Sequence, residues 1–306
     1  MKRRNLVVVR AGRDSLHARW LELPCSQRNY DLVVSYYDEA AFHDFQPAEG
    51  VSAVLVKGGK WDGLFQTLRG LDLMAWDYFW LPDDDLSIAA RDVNALFDLC
   101  RTKGLAIAQP ALTRDSYYSH FIFSQCPEFQ LRYINYIEIM APCLSRAVLL
   151  RALPLFRDTT SGFGLDYVWC RWPESGAFRV AILDLIAMHH TRPVGSVLRA
   201  EMARSGQPEA KVEEQQLKTK FALDRRIVPI AMAGILKDGA PVVGRVATGW
   251  RMCKGWWRDR ASFRHRNEAL SGILKIARRQ LTKPLDMTML PAPGHPAAGQ
   301  DGTKRM

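Results

Sequence analysis

The stretch Tyr78-Phe79-Trp80-Leu81-Pro82-Asp83-Asp84-Asp85 runs an apolar segment directly into three aspartates. Such a segment reads as a buried strand, and Pro82 with the acidic triplet marks where it leaves the core for solvent. In extended backbone, residues two apart share a side, so Asp83 and Asp85 can turn toward one cation while Asp84 points elsewhere. Like charges at a half-buried strand end repel one another unless a counter-charge arrives. Mg²⁺ or Mn²⁺ held by one or two carboxylates plus substrate phosphates is the usual solution. The competing reading is that Asp85 or Ser87 caps the amphipathic helix predicted over 88–100, whose dipole favours an acidic N-terminus. One aspartate would serve that purpose, and this chain has three.

Outward from the triplet, strand-like and helix-like segments alternate. Apolar runs at 6–9, 32–36, 51–56, 78–81, 105–108 and 180–186 predict strands, and 15–23, 64–73, 88–100 and 146–155 predict helices. This is the rhythm of an α/β domain with a mostly parallel sheet flanked by helices, in which ligands gather at the strand C-termini. The stretch 129–141 predicts one more strand, antiparallel to the others. A break at Ser205-Gly206-Gln207-Pro208 divides the chain into a catalytic domain over 1–204 and a helical basic extension over 205–283, with helices expected at 208–223 and 227–237. The Pro- and Gly-rich residues 284–306 predict a disordered tail.

The chain is 306 residues long and 48% hydrophobic, enough for a sizeable core and too apolar for a disordered protein. Its six cysteines include no Cys-x-x-Cys pair, so they read as reduced packing residues of a cytoplasmic chain. No run of eighteen apolar residues exists to span a membrane. The net charge of +10 is concentrated near the C-terminus, with eleven Lys or Arg against Asp259 and Glu268 between Arg245 and Lys283. Interleaved with Trp250, Trp256, Trp257 and Phe263, these cations suit an anionic membrane surface, placing the chain peripherally at the inner face. Single-stranded nucleic acid is the competing partner, and a solvated helix packed on the catalytic domain the plain alternative.

Five ordered blocks carry a family resemblance over about 5–196: Lys57 to Trp61, Trp80 to Leu86, Tyr136 to Pro142, Gly162 to Asp166 and His190 to Gly195. Together they resemble a plant and bacterial family labelled lysine-ketoglutarate reductase trans-splicing related. The oxidoreductase activity in that label has no support here, because Arg10-Ala11-Gly12-Arg13 after the first strand is no dinucleotide fingerprint. The same blocks resemble the GT-A glycosyltransferase fold, which holds a nucleotide-sugar diphosphate through a divalent metal. The resemblance implies that the triplet stands in for an Asp-x-Asp motif, with Asp85 the metal ligand, Asp83 at the metal or ribose, and Asp84 on the donor side. It also implies a tight turn of Gly162 and Gly164 beside the donor sugar, Asp166 as acceptor base, and His190 or its neighbour His189 completing the metal site. Glu138 is a further catalytic candidate without a fixed counterpart.

Two carboxylates and an imidazole suit Mn²⁺ or Mg²⁺ better than zinc. Lys57 and Lys60 after one strand, and Arg10 and Arg13 after another, could neutralise diphosphate oxygens, although any one of them reads equally as surface charge. Trp61, Trp80 and Trp169 could stack on a ring, and core packing explains them as well. The function expected is a metal-dependent glycosyltransferase with a nucleotide-sugar donor and a glycan or lipid-linked acceptor. The alternatives are a nucleotidyltransferase using the same acidic site, or a non-catalytic transferase fold that binds carbohydrate, nucleic acid or membrane.

Overall fold

A computed structural model describes residues 4–195, 210–223 and 227–290. Its strands are β1 (Asn5–Ala11), β2 (Tyr30–Tyr36), β3 (Val51–Leu55), β4 (Tyr78–Trp80), β5 (Leu86–Ser87), β6 (Ile107–Leu112), β7 (Phe129–Ile134), β8 (Cys143–Ser145), β9 (Val180–His190), β10 (Ala231–Leu236) and β11 (Pro241–Val243). The helices are α1 (Glu39–His43), α2 (Lys60–Leu68), α3 (Ala90–Thr102), α4 (Arg146–Phe156), α5 (Leu165–Val168), α6 (Ala210–Lys220), α7 (Arg245–Arg258) and α8 (Arg266–Thr282).

The α/β class expected from the sequence is the class observed. The strands form a mixed sheet ordered β11-β10-β7-β9-β6-β8-β4-β1-β2-β3, with β5 added against β9. Its β3-β2-β1-β4 portion and the β6-β9 pair are parallel, while β7, β8, β10 and β11 pair antiparallel. Strand β1 is buried along its whole length, as expected for an interior strand covered on both faces, which explains its unbroken Leu-Val-Val-Val run. The strand expected within 129–141 is β7, and it is antiparallel to both β9 and β10.

Two helix expectations fail. Residues 15–23 yield only a 3₁₀ turn, His17–Leu21, in which Trp20 alone is buried and its indole N–H donates to the Leu86 carbonyl. Residues 227–237 contain strand β10, which forms a hairpin with β11 through a turn at Gly239 (φ +88°). The Asp238-Gly239 pair is the hairpin signal in that stretch. Gly234 marks a close approach between strands: a Cβ there would lie 2.6 Å from the Phe129 ring. The basic segment thus joins the sheet before its helices begin. Met252 and Trp256 of α7 and Ile273 and Ile276 of α8 belong to the same buried cluster as the rest of the chain. The expected division near 205 falls within 196–209, outside the described residues. Part of the expected tail is tied to the body, since Asp286 pairs with Arg171 and the Leu290 N–H donates to the Arg171 carbonyl; 291–306 lie outside the described residues.

Strand β9 is fixed in the sheet by a buried charge pair. The Arg132 guanidinium on β7 grips both oxygens of Asp184 on β9 at 2.7 and 2.9 Å. It also donates to the carbonyls of Ile122 and Ser124, and lies 5.2 Å from the Trp256 ring centre. Asp184 accepts in turn from the Cys126 N–H. Both side chains are fully buried, so each charge depends on the other for solvation. At this point β9 leaves its register with β6: Pro110 pairs with Leu183 but Ala111 with Ala187, and residues 184–186 have no β6 partner. Asp184→Ala should therefore cost about 3–5 kcal/mol by stranding the Arg132 charge. Urea denaturation of the variant against the parent chain measures this, and a loss below about 1 kcal/mol would refute the stated role.

Candidate active site

After β4 the chain does not simply run out into solvent. The Leu81 and Asp83 N–H groups donate to the carbonyls of Pro142 and Met140, which keeps the backbone against 140–142. The chain then turns through Asp84 and Asp85 into β5, which pairs antiparallel with the end of β9, Leu86 opposite His190 and Ser87 opposite His189. The Thr191 N–H and hydroxyl both donate to the Asp85 carbonyl, locking the turn. Ser87 is thereby taken into a strand, and the N-cap position of α3 falls to Ala89 without a side-chain cap. The capping reading of the triplet is therefore excluded.

Each aspartate has its own partner. The Asp83 carboxylate takes a 2.5 Å contact from Lys60 Nζ, whose other donor bonds go to the carbonyls of Ile139 and Met140. Asp84 accepts from the Gly12 N–H at 3.0 Å and meets Arg192 at 3.3 Å. Asp85 is buried; its Oδ2 lies 3.2 Å from His190 Nε2, and its Oδ1 has no hydrogen-bond partner. His190 Nδ1 lies 3.0 Å from the Tyr117 carbonyl and must carry a proton to bond it, so Nε2 faces Asp85 with a lone pair or a second proton. Burial pulls the His190 pKa down, but Asp85, the Tyr117 carbonyl and Asp83 overcome this and raise it. His189 instead faces Asp115 at 3.7 Å, so of the two histidines it is His190 that stands against the aspartate triplet. Among the described residues no group of three or more His, Cys, Asp or Glu side chains is assembled to hold a metal ion. Asp85 and His190 converge, whereas Asp83, expected as a third ligand, is drawn off by Lys60.

Glu138 and Asp166 are a second acidic pair, both buried. Glu138 accepts from Gln109 Nε2 at 3.0 Å, and burial pushes its pKa up to about 7 against that bond. Asp166 lies in the first turn of α5, where the Tyr136 hydroxyl donates to its Oδ2 while its buried Oδ1 has no partner. Burial also raises Asp166 to about 7, with the Tyr136 hydrogen bond opposing. Gly162 and Gly164 (φ +77° and +98°) form the turn that delivers Asp166, and a Cβ on Gly162 would strike the Trp61 indole at 2.0 Å. Helix α6, expected as part of a separate extension, supports this turn: Glu213 accepts from the Thr159 and Ser161 hydroxyls and from the N–H groups of Thr160 and Ser161.

Two of the remaining cations expected at a diphosphate, Arg10 and Lys57, have partners elsewhere. Arg10 is buried and bonds to Ser35 and to the Gly58 and Gly59 carbonyls, tying β1 to β2 and to the loop before α2. Lys57 stays exposed beside Glu39 at 3.2 Å. Trp61, Trp80 and Trp169 are fully buried and pack in the core. Sequence reasoning missed Tyr136, Gln109, Tyr117 and Arg192. Tyr136 and Arg192 each stand two residues from a predicted site residue, a spacing that could have found them in extended chain.

No protein-family model matches the chain, and no curated protein matches it in sequence. The five-block resemblance therefore finds no family counterpart. Among solved structures, the chain is similar to S. aureus TarS 1-349 in complex with UDP-GlcNAc, with 10% identity, a TM-score of 0.43 and 90% of each chain covered. It is also similar to GalNAc-T7 with UDP, GalNAc and Mn²⁺, with 9% identity, a TM-score of 0.48, and 72% of this chain and 48% of that one covered. A third is the mannose-1-phosphate geranyltransferase from Thermus thermophilus, at 13% identity, a TM-score of 0.35, and 62% and 76% coverage. With every one of these TM-scores below 0.5, the functional reading rests on this chain's own residues.

The acidic pair sets a pH dependence. Both carboxyls have folded pKa values of about 7, above their ordinary 4.5 and 3.8, so folding favours the protonated form. Their contribution is complete below about pH 4 and is lost as pH rises toward 7. The metal-free chain should accordingly be less stable at pH 8 than at pH 5, by on the order of 2–3 kcal/mol per carboxyl. In thermal melts with chelator, the Glu138→Gln and Asp166→Asn double variant should flatten this slope; an unchanged slope would remove both groups as its source.

Proposed function

We propose that this chain is a metal-dependent glycosyltransferase that takes a nucleotide-sugar donor and passes the sugar to a glycan or lipid-linked acceptor. The observation that carries this reading is the Asp85–His190 pair: a buried carboxylate with one unpartnered oxygen, facing an imidazole whose other nitrogen is committed to a backbone carbonyl. An oxygen and a neutral imidazole nitrogen fit Mn²⁺ or Mg²⁺, and two protein ligands leave other positions to donor phosphates. Bound there, the metal would supply Lewis-acid stabilisation of the charge growing on the leaving diphosphate.

The chain's own residues account for the rest. Lys60 holds Asp83 in place, and Arg192 and the Gly12 N–H orient Asp84 toward the donor side. Asp166, at the mouth of the Gly162–Gly164 turn, takes the proton from the acceptor hydroxyl at its free Oδ1, while Tyr136 fixes Oδ2. A base with a pKa near 7 is well matched to neutral pH. Glu138, with a pKa in the same range, is the second group able to hold a proton beside this centre. Gln109 orients its carboxyl.

Calorimetric titration with nucleoside diphosphates and nucleotide sugars, with and without Mn²⁺, tests the assignment. Asp85→Ala should lower Mn²⁺-dependent donor affinity by about a hundredfold. Unchanged affinity would sink the proposed metal role. Asp166→Asn should leave donor affinity within about twofold while cutting kcat by two to four orders of magnitude. Release of pyrophosphate instead of nucleoside diphosphate would move the same site to nucleotidyl transfer. An inert chain that binds no donor would move it to the non-catalytic alternative.

A further inference from the structure

Helices α7 and α8 form an antiparallel hairpin, tied by Arg245 donating to the Leu281 and Lys283 carbonyls and by Gln280 donating to the Arg245 carbonyl. Each helix already has a buried side: Met252 and Trp256 on α7, and Ala269, Ile273 and Ile276 on α8. A helix packed on a body needs one apolar face, with its other side polar. These two break that rule. Trp250 is 71% exposed, Trp257 53%, Leu274 68% and Leu281 60%, and Val246 is exposed beside them. The spacing is helical on both: Val246, Trp250, Lys254 and Trp257 share one face of α7, and Leu274, Arg278 and Leu281 share one face of α8. Each outward stripe therefore places an exposed cation between two large apolar side chains.

Only part of the charge along this surface is opposed. Arg251 and Arg258 are directed to Glu128, and Arg114 takes Asp259. Lys254, Arg266, Lys275, Arg278 and Lys283 make no ion pair with any carboxylate among the described residues.

We propose that the α7–α8 hairpin docks on an anionic lipid surface, its Trp250, Trp257, Leu274 and Leu281 side chains entering the headgroup and upper acyl region and its cations lying at the phosphate level. Charge complementarity selects the occupant. A bilayer carrying anionic lipid provides apolar depth and negative charge together over the whole stripe, and tryptophan is the side chain suited to that boundary. Leucine and valine have no stacking role on nucleobases, so the stripe does not read as a single-strand platform. The proposal does not depend on the transferase reading, because it rests on a different surface and its test measures no turnover.

The test is co-sedimentation of the purified chain with vesicles of phosphatidylcholine alone, and with vesicles in which about a third of the lipid is phosphatidylglycerol. The chain should pellet with the anionic vesicles, its tryptophan emission should shift to the blue, and added salt should weaken the binding. Trp250→Ser with Leu274→Ser, and separately Lys254→Glu with Arg278→Glu, should each lower partitioning about tenfold or more, with melting temperatures unchanged because the sites are exposed. Pelleting with neither vesicle would overturn the proposal, as would equal binding by parent chain and variants. A dimer in light scattering that the serine variant dissolves, without vesicle binding, would reassign the face to a second copy of this chain. Tight binding of oligo-dT lost in the glutamate variant, again without vesicle binding, would reassign it to nucleic acid.

Discussion

The Asp85–His190 contact at the candidate site depends on where strand β9 ends. Its first half sits in the sheet between β6 and β7, and its last residues leave that register to pair with β5, placing His190 opposite Leu86 and thus beside Asp85. The slip is possible because residues 184–186 have no β6 partner, and the Asp184 side chain they release is held by Arg132 inside the core. The buried ion pair therefore has a positional consequence. It fixes how far the strand travels before it meets the aspartates. Buried charges that must satisfy one another tolerate few alternative arrangements, which suits a contact that sets register.

The aspartate triplet shows how three like charges are kept at one strand end. Lys60 neutralises the first, Gly12 and Arg192 take the second, and the third faces His190. Two of the three are thereby spent on holding the turn, and Asp85 is the one of the three with a buried oxygen that has no partner. Behind it, Glu138 and Asp166 are buried with pKa values shifted to about 7, and each is held by one neutral donor, Gln109 or Tyr136. Neutral partners orient a carboxyl without pinning its charge, so these groups keep the ability to exchange a proton. At Asp184, by contrast, the Arg132 guanidinium opposes the upward pull of burial on the carboxyl with a full charge.

The C-terminal segment does two jobs with one pair of helices. Inward, Trp256 lies over the Arg132 guanidinium, and Met252 packs in the common core. Outward, the same helices present tryptophan and leucine between unopposed cations. Basic charge near the C-terminus is thus part of the body that carries the site, and the hairpin of β10 and β11 connects it to the sheet edge beside β7.

The sequence by itself determined the α/β class, most strands and helices α2, α3 and α4, and it showed three carboxylates at the end of one strand. These are written in local periodicity: continuous apolar runs for buried strands, 3.6-residue spacing for helices, and carboxylates where a strand must end. It misread 227–237 because a short apolar run fits a helix or a strand equally, and only pairing with β7 decides between them. Tertiary structure alone decided which charges are free. Lys60, Lys57 and Arg10 look alike in the sequence, yet one holds Asp83, one stays on the surface, and one is buried against Ser35 and backbone carbonyls. That His190 and not His189 meets Asp85 came the same way, from alternation along β9 once its pairing with β5 had set which side faces Asp85. A side chain's charge is a property of its residue, but its partner is set by residues distant in the chain, which sequence spacing does not encode.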